Sequence, residues 1–396
     1  GDQPVLELSA ARGAEINLKK RRLQPGSSAG GEALTLTLHG LPLAWVRPFV
    51  QAVDISGGMI TGQLTITGQS DSLLLRVVQP LRVSQLNAVQ AGQLLLHKAD
   101  LAVGFDAVLT KTELQATVSS FTLKTLSGDS LTAQAKVTLP AGPDPSVTIV
   151  ASYKTDMPTL LAPVLKLGPI QSTGEIDFTL EGKKIELRRL AARIHDDHGF
   201  DMFQATALRP FTFNLATRQA AIIGIPDSKM VLRLDFARLP LAALPLSLPG
   251  AKLGGFVADG ELVLEVDGDK VRVRAPHPFI LNNVSLQQNG RQVLTGLRVE
   301  AQPLLELTSN TSARFETGTM VVMDGNGAML AGLNAEAARS TDSGLTGSLN
   351  FTLEVPALAT QPIFAGTRAV SAGRASGEVR VALGSARQVE ARLTVP

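Results

Sequence analysis

The chain has no cysteine, one tryptophan and one tyrosine in 396 residues, and charged side chains make up only 18% of it. Each shortage removes a class of function. Without cysteine there is no disulfide framework, no thiolate nucleophile and no cysteine-ligated zinc or iron–sulfur cluster. Aromatics at 4% are too few for the two interfacial girdles of an outer-membrane barrel. Thirty-seven basic against 35 acidic residues leave a net charge of +2, too weak for a dedicated nucleic-acid binder; the pI of 8.9 reflects that near-balance. No uncharged apolar run approaches the about 18 residues that read as a membrane-spanning helix. The best stretch, Leu239–Ala251, is 13 residues long and is broken by Pro240, Pro245 and Pro249. No signal peptide opens the chain. Gly1-Asp2-Gln3-Pro4 reads as the start of a mature or trimmed chain, so any export signal or anchor would have been removed.

What the chain does have is apolar surface. Its hydrophobic fraction is 44% and its mean hydropathy +0.16, so it can bury enough area to offset its ordering entropy and disorder is excluded. At roughly 150 residues per domain the length suggests two or three domains or a repeat array.

The dominant local pattern has period two. Leu34–Leu38, Gln63–Thr67, Glu175–Leu180, Glu261–Val266 and Val271–Arg274 all alternate apolar with polar residues, which puts apolar side chains on one sheet face. Gly, Asn, Asp and Pro punctuate the runs every 8 to 15 residues and read as hairpins and meanders. The expected fold is all-β with few short helices.

A repeat lies beneath this alternation. A strand runs into a proline-bearing apolar stretch, then a glycine-rich turn, then a strand opened by glycine. The four proline-bearing stretches are Leu41–Phe49, Met157–Leu165, Leu239–Leu244 and Val355–Ala359, and the glycines are Gly62, Gly174, Gly260 and Gly377. Proline is tolerated in the first turn of a helix, where its missing N–H has no intrahelical partner. Each stretch is therefore expected to form a short apolar helix. These copies divide the chain into units at 1–145, 146–228, 229–345 and a partial 346–396.

One short helix per roughly 100 residues cannot cover a sheet face. The apolar positions are Leu64 and Ile66; Ile176, Phe178 and Leu180; Leu262, Leu264 and Val266; and Val379, Val381 and Leu383. Such faces must be buried, at roughly 25 cal/mol per Å2, or they aggregate. A second sheet, closure into a barrel, or an apolar ligand are the three solutions.

The order of strand, L-P-L-A-like helix, G-G turn and G-x-apolar-x-apolar strand resembles the AsmA-like superfamily of bacterial envelope proteins, with its TamB-like and YhdP/YdbH-like members. The residues carrying the resemblance are Leu41-Pro42-Leu43-Ala44 with Gly57-Gly58 and Gly62-Gln63-Leu64, and Leu239-Pro240-Leu241-Ala242 with Gly254-Gly255 and Gly260-Glu261-Leu262. The fit at Pro158 and Pro356 is looser. The resemblance implies an elongated, curved, mostly antiparallel β-groove sheet with an apolar interior, in which the eleven positions named above line a phospholipid path. It also implies a periplasmic segment of an inner-membrane-anchored protein, which meets inner- and outer-membrane envelope proteins through missing termini. The N-terminal transmembrane helix usual in that family does not occur in this sequence.

Motifs with chemical potential are few. Gly26-Ser27-Ser28-Ala29-Gly30 matches G-x-S-x-G, but Lys19–Pro25 precedes it where a nucleophile elbow needs an apolar strand; a Gly/Ser loop is the reading. His195-Asp196-Asp197-His198 with Asp201 holds metal-ligand chemistry, yet adjacent strand residues face opposite ways, so a hairpin turn is preferred. Asp324-Gly325-Asn326-Gly327 has Ala335 where a calcium loop needs its final Glu, and reads as a turn. Lys19–Arg22 reads as a solvated hairpin end rather than an anionic-lipid contact. The triplets at Asn283, Asn310 and Asn350 match a glycosylation pattern common by chance. No catalytic, cofactor or metal constellation emerges. The expected function is phospholipid carriage without chemistry. The alternative is a tandem β-sandwich adhesion or structural protein that binds protein or glycan, and an enzyme using His195 and His198 stands a distant third.

Overall fold

The computed structural model describes residues 4–10, 14–17, 22–25, 34–45, 54–69, 72–90, 93–140, 146–156, 170–196, 198–224, 228–243, 250–268, 270–309, 312–340, 344–364, 373–383 and 387–395. Strands take 78% of these and helices 4%, so burial of apolar surface rests on sheet rather than on helix. Among the described residues no helix is long and apolar enough to cross a membrane. The chain separates into two compact units, one of residues 1–163 with 168–182 and one of residues 164–167 with 183–396.

The first unit holds β1 (Leu6–Ala10), β2 (Ala14–Asn17), β3 (Arg22–Pro25), β4 (Leu34–Pro42), β5 (Asp54–Ser56), β6 (Met59–Gln69), β7 (Ser72–Gln90), β8 (Gln93–Leu109), β9 (Glu113–Lys124), β10 (Ser130–Pro140), β11 (Ser146–Asp156) and β12 (Ile170–Glu181). From β1 through β4 and β6 to β12 they form one antiparallel ladder, with β5 added beside β7. The β2–β3 hairpin is a separate two-stranded sheet. A 3-10 helix at Leu43–Trp45 follows β4, as the proline-bearing stretch predicts.

The second unit contains β13 (Lys184–Asp196), β14 (Asp201–Ala207), β15 (Phe211–Asn214), β16 (Ala220–Ile222), β17 (Met230–Phe236), β18 (Leu239–Pro240), β19 (Ala251–Asp267), β20 (Lys270–Arg274) and β21 (Phe279–Gln288). It continues with β22 (Arg291–Ala301), β23 (Leu304–Ser309), β24 (Ser312–Glu316), β25 (Met320–Met323), β26 (Met329–Ser340), β27 (Gly344–Glu354), β28 (Arg374–Leu383) and β29 (Arg387–Thr394). Many of these are halves of one interrupted strand: β19 pairs with both β20 and β21, and β26 with both β24 and β25. Short helices at Leu241–Ala243 and Val355–Leu358 occupy the third and fourth proline-bearing stretches, and a 3-10 helix at Pro362–Phe364 follows the fourth. The second stretch, Met157–Leu165, lies outside the described residues.

The strands are longer than the 8-to-15-residue punctuation implies. β7 runs 19 residues through Pro80, and β8 runs 17 through Gly104. Gly254-Gly255, expected as a turn, lies inside β19. These residues mark bulges. The pairing register slips beside Gly62 in β6, across Val77–Pro80 in β7, at Gly104 in β8, at Ser119-Ser120 in β9 and at Gln134 in β10. Those slips lie side by side, forming a transverse row across five strands, and each bulge bends its strand and increases the local twist. The second unit has a matching row of breaks at Pro276–Pro278, Pro303 and Gly318. They are tied by Ala275 N donating to Pro303 O (3.1 Å) and Thr317 N donating to Ala335 O (2.8 Å).

Candidate functional site

Register shows what the alternation builds. In the first unit a row of cross-strand neighbours runs Ala10–Leu34–Ile66–Leu75–Ala107–Ala116–Val137–Ile149–Phe178 across nine strands. A row toward one edge runs Leu41–Ile60–Val83–Leu101–Leu123–Leu131, and one toward the other Leu73–Leu109–Leu114–Leu139. None of these register-paired positions carries a formal charge. The opposite face carries Glu7, Arg76, Asp106, Lys136, Lys154 and Asp177. In β9 the face switches phase at the bulge: Val118 and Phe121 flank Ser119-Ser120 yet both stand in apolar rows. The bulges thus keep the apolar face continuous while the strands bend.

This face is closed at one end and open at the other. Where the Leu43–Trp45 helix enters, Leu43, Leu86, Ala99 and Leu123 form a core cluster with Ile55, Ile60 and Val83 against it. At the far edge Leu109 is 42% exposed. A few hydroxyls interrupt the apolar rows of β11 and β12, where Tyr153 Oη lies 3.2 Å from Ser172 Oγ.

The second unit repeats the plan. Near the helical connections the row Leu239–Val257–Leu281–Val299–Val322–Ala331–Leu353–Ala375 is largely closed; Leu239, Val257, Val299, Ala331 and Ala375 are all buried, and Leu241 of the 3-10 helix is 2% exposed. Its last row runs Val266–Val271–Leu307–Ala313–Arg339–Leu345–Leu383–Arg387. That row begins in a core cluster of Phe211, Ala220, Val231, Val266 and Val271. It ends in the open, with Leu345 and Leu383 each 41% exposed.

The alternation-derived positions therefore stand on one face within each unit: Leu64 and Ile66 (β6) with Ile176, Phe178 and Leu180 (β12) in the first, and Leu262, Leu264 and Val266 (β19) with Val379, Val381 and Leu383 (β28) in the second. Their surroundings differ. Val266 is walled in by the chain's own side chains and Leu264, itself half-buried, packs against the same cluster; Leu64, Ile66, Phe178 and Val381 are half-buried.

The repeat glycines do not open their strands; they lie inside them, and at Gly62, Gly260 and Gly377 a neighbour approaches too closely for a Cβ. At Gly62 (φ +140°) a Cβ would come within 2.9 Å of Leu81 Cα and of Pro80 O. The Phe279 ring covers Gly260 and the Phe351 ring covers Gly377. An aromatic side chain on the neighbouring strand fills the space a glycine leaves, which pins register.

The opposite face is polar and its charges are paired at close range. Glu306 accepts from Arg272 Nε at 2.7 Å and from Lys270 Nζ at 3.2 Å, and Arg274 bonds Glu265 at 2.7 Å. The Arg272 hydrogen bond, with Lys270 adding to it, holds the Glu306 carboxyl below the usual carboxylate range. A depression of about 620 Å3 on this face is lined by Arg314, Glu336, Thr346, Ser348, Arg380 and Glu390. A smaller one of about 170 Å3 gathers Asp201, Asp235, Asp259, Glu261 and His277, and three of its four acids have local partners. His277 lies 3.3 Å from Glu261, Arg233 lies 3.1 Å from Asp235, and His195 Nδ1 lies 2.6 Å from Asp201. No group of three His, Asp or Glu side chains among the described residues is placed to hold a metal ion.

The other sequence motifs resolve into turns. Asp196 accepts the backbone N–H of His198 (3.0 Å) and Phe200 (2.8 Å), and Asp324 accepts those of Asn326 (2.9 Å) and Ala328 (2.8 Å). Such local bonding is what Asp supplies at a hairpin end. Gly26–Gly30 and Lys19–Arg21 lie outside the described residues.

The middle strands β7 to β10, which carry half of the first unit's apolar face, escape a search for unbroken alternation because each contains a bulge. The phase switch at Ser119-Ser120 is the signal that could have found them. Comparison of the chain with family models, with curated proteins and with solved structures returns no match.

Proposed function

We propose that the apolar faces hold the acyl chains of phospholipid, and that the chain is a lipid-carrying β-groove segment of a bacterial envelope protein. In this reading it acts in the periplasm, as part of an inner-membrane-anchored protein of the AsmA-like kind, and passes lipid toward the outer membrane without chemistry. The observation that carries the proposal is the uncharged, register-continuous face across nine strands of the first unit, closed at one edge and open at the other. A face of this kind must be covered, at roughly 25 cal/mol per Å2. The second sheet that a sandwich would supply is, among the described residues, a single two-stranded hairpin.

Acyl chains fit this face for a physical reason. They need no hydrogen-bond partner and slide over Leu, Ile, Val and Phe without a preferred register. The open edge leaves headgroups in water, so no charged group need be desolvated. Native mass spectrometry with lipid extraction, on protein purified from a bacterial host without detergent, tests the proposal. Phospholipid at one or more molecules per chain is the expected result, and lipid-free monodisperse protein contradicts it.

A further inference from the structure

The charge distribution over the second unit's apolar face points to where a headgroup sits. Within β26 to β29, cross-strand pairs place Leu, Val, Ala, Phe and Gly on that face in every row but the last. There, Arg339 stands between Ala313 and Leu345, and Arg387 stands opposite Leu383. The two arginines are three strands apart, about 14 Å at about 4.8 Å per strand. The apolar side chains between and above them are the exposed ones: Leu345 and Leu383 in the same row, with Phe315 and Val389 in the next. Arg339 is exposed, and no described carboxylate pairs with it.

That isolation is unusual here. Arginines on the polar face are repeatedly matched by an acid two residues away, as in Arg298–Glu300 (2.6 Å), Arg314–Glu316 (2.7 Å) and Arg380–Glu378 (2.6 Å). Arg339 has an alanine at the corresponding position, Ala337, on the same apolar face. A guanidinium with exposed hydrocarbon on one side and water on the other complements an amphiphile whose anion lies at the end of its chains.

We propose that Arg339 binds the phosphate of a phospholipid headgroup at the open edge of the second unit while the acyl chains lie along Leu345, Leu383 and the rows behind them. This rests on the lipid-carrying reading and adds to it a polarity: headgroup at the open edge, chain ends toward the helical connections. Arginine suits the task because its planar fork meets phosphate oxygens with two parallel hydrogen bonds.

The test uses the whole chain and two short-chain soluble probes, dihexanoyl phosphatidylglycerol and uncharged dihexanoylglycerol, with inorganic phosphate as a third, each titrated by calorimetry. Arg339→Gln is expected to weaken the phospholipid about tenfold while leaving dihexanoylglycerol unchanged. Arg339→Lys should recover most of the loss, and salt should weaken only the phospholipid. Free phosphate should bind far more weakly than the phospholipid. Equal losses for both amphiphiles, or no loss for either, overturn the headgroup assignment while leaving lipid carriage standing. Free phosphate binding as tightly as the phospholipid overturns the lipid source of the anion. If the unsubstituted chain binds neither amphiphile, lipid carriage itself fails, and this assignment with it.

Discussion

Gly260→Ala isolates the role of the repeat glycine. Gly260 lies across the ladder from Phe236, under the Phe279 ring. An added Cβ would meet three atoms of that ring, with Cζ at 2.8 Å, inside any real van der Waals contact. The ring cannot simply swing away, because Phe279 packs at 5.6 Å on Phe236, which packs at 5.2 Å on Phe203. Overpacking of this kind costs about 1–3 kcal/mol. Gly260 has ordinary backbone angles, so the cost is purely steric. Gly128 is the converse control: its φ is +94° and a Cβ there meets nothing within 4 Å, so Gly128→Ala costs only the conformational penalty, about 1–2 kcal/mol. The decisive arm is the double variant Gly260→Ala/Phe279→Ala. Removing the ring removes the clash, so the double should be about 1–2 kcal/mol less destabilised than the sum of the singles. Urea unfolding followed by circular dichroism reads the unsubstituted chain, the three single variants and the double. If Gly260→Ala unfolds within about 0.5 kcal/mol of the unsubstituted chain, or if the two substitutions add, the glycine is not a socket for that ring.

Two further outcomes follow from the same geometry. Glu306 has its carboxyl pKa lowered by Arg272 and Lys270. The stabilisation it gives is therefore fully present above the unfolded value of about 4.3 and is lost as pH falls through the lower folded value. The stability difference between the unsubstituted chain and Glu306→Gln should shrink from pH 6 to pH 3, and a difference flat across that window refutes the pairing. Ile66→Asp and Leu264→Asp should part company. Leu264 is half-buried but packs against a buried core cluster, so a carboxylate there destabilises the fold by about 1–3 kcal/mol. Ile66 is half-buried on the first unit's face, and its variant should stay folded but lose phospholipid binding. Equal loss of fold in both would remove the distinction between closed and open parts of the face.

The alternation of Gln63–Thr67 and Glu175–Leu180 was enough to assign β6 and β12 and the face each presents, because neither run contains a bulge. β7 was not legible in the same way: Pro80 reads as a chain turn, yet it sits within a strand whose partner Gly62 bends with it. A proline or glycine in a bent ladder and one in a hairpin look alike until register is known. Leu239-Pro240-Leu241-Ala242 does lead into a short helix, but it is a three-residue 3-10 turn at Leu241–Ala243, and Pro240 closes the strand before it rather than opening its first turn. What could not be read was the difference between Val266 and Val381. Both alternate on apolar faces, but the Phe211–Ala220 segment that closes over Val266 is some 50 residues away along the chain. Arg339 was equally hidden, since an arginine at a strand end is ordinary until its row is traced across the neighbouring strands.

The central claim is that these faces are covered by lipid rather than by protein. It is tested most directly by native mass spectrometry of the detergent-free chain with extraction and identification of whatever it carries. Phospholipid at one or more molecules per chain, lost in Ile66→Asp, is the predicted result. A monodisperse, lipid-free chain that stays soluble would mean that the faces close on themselves, and would contradict the account.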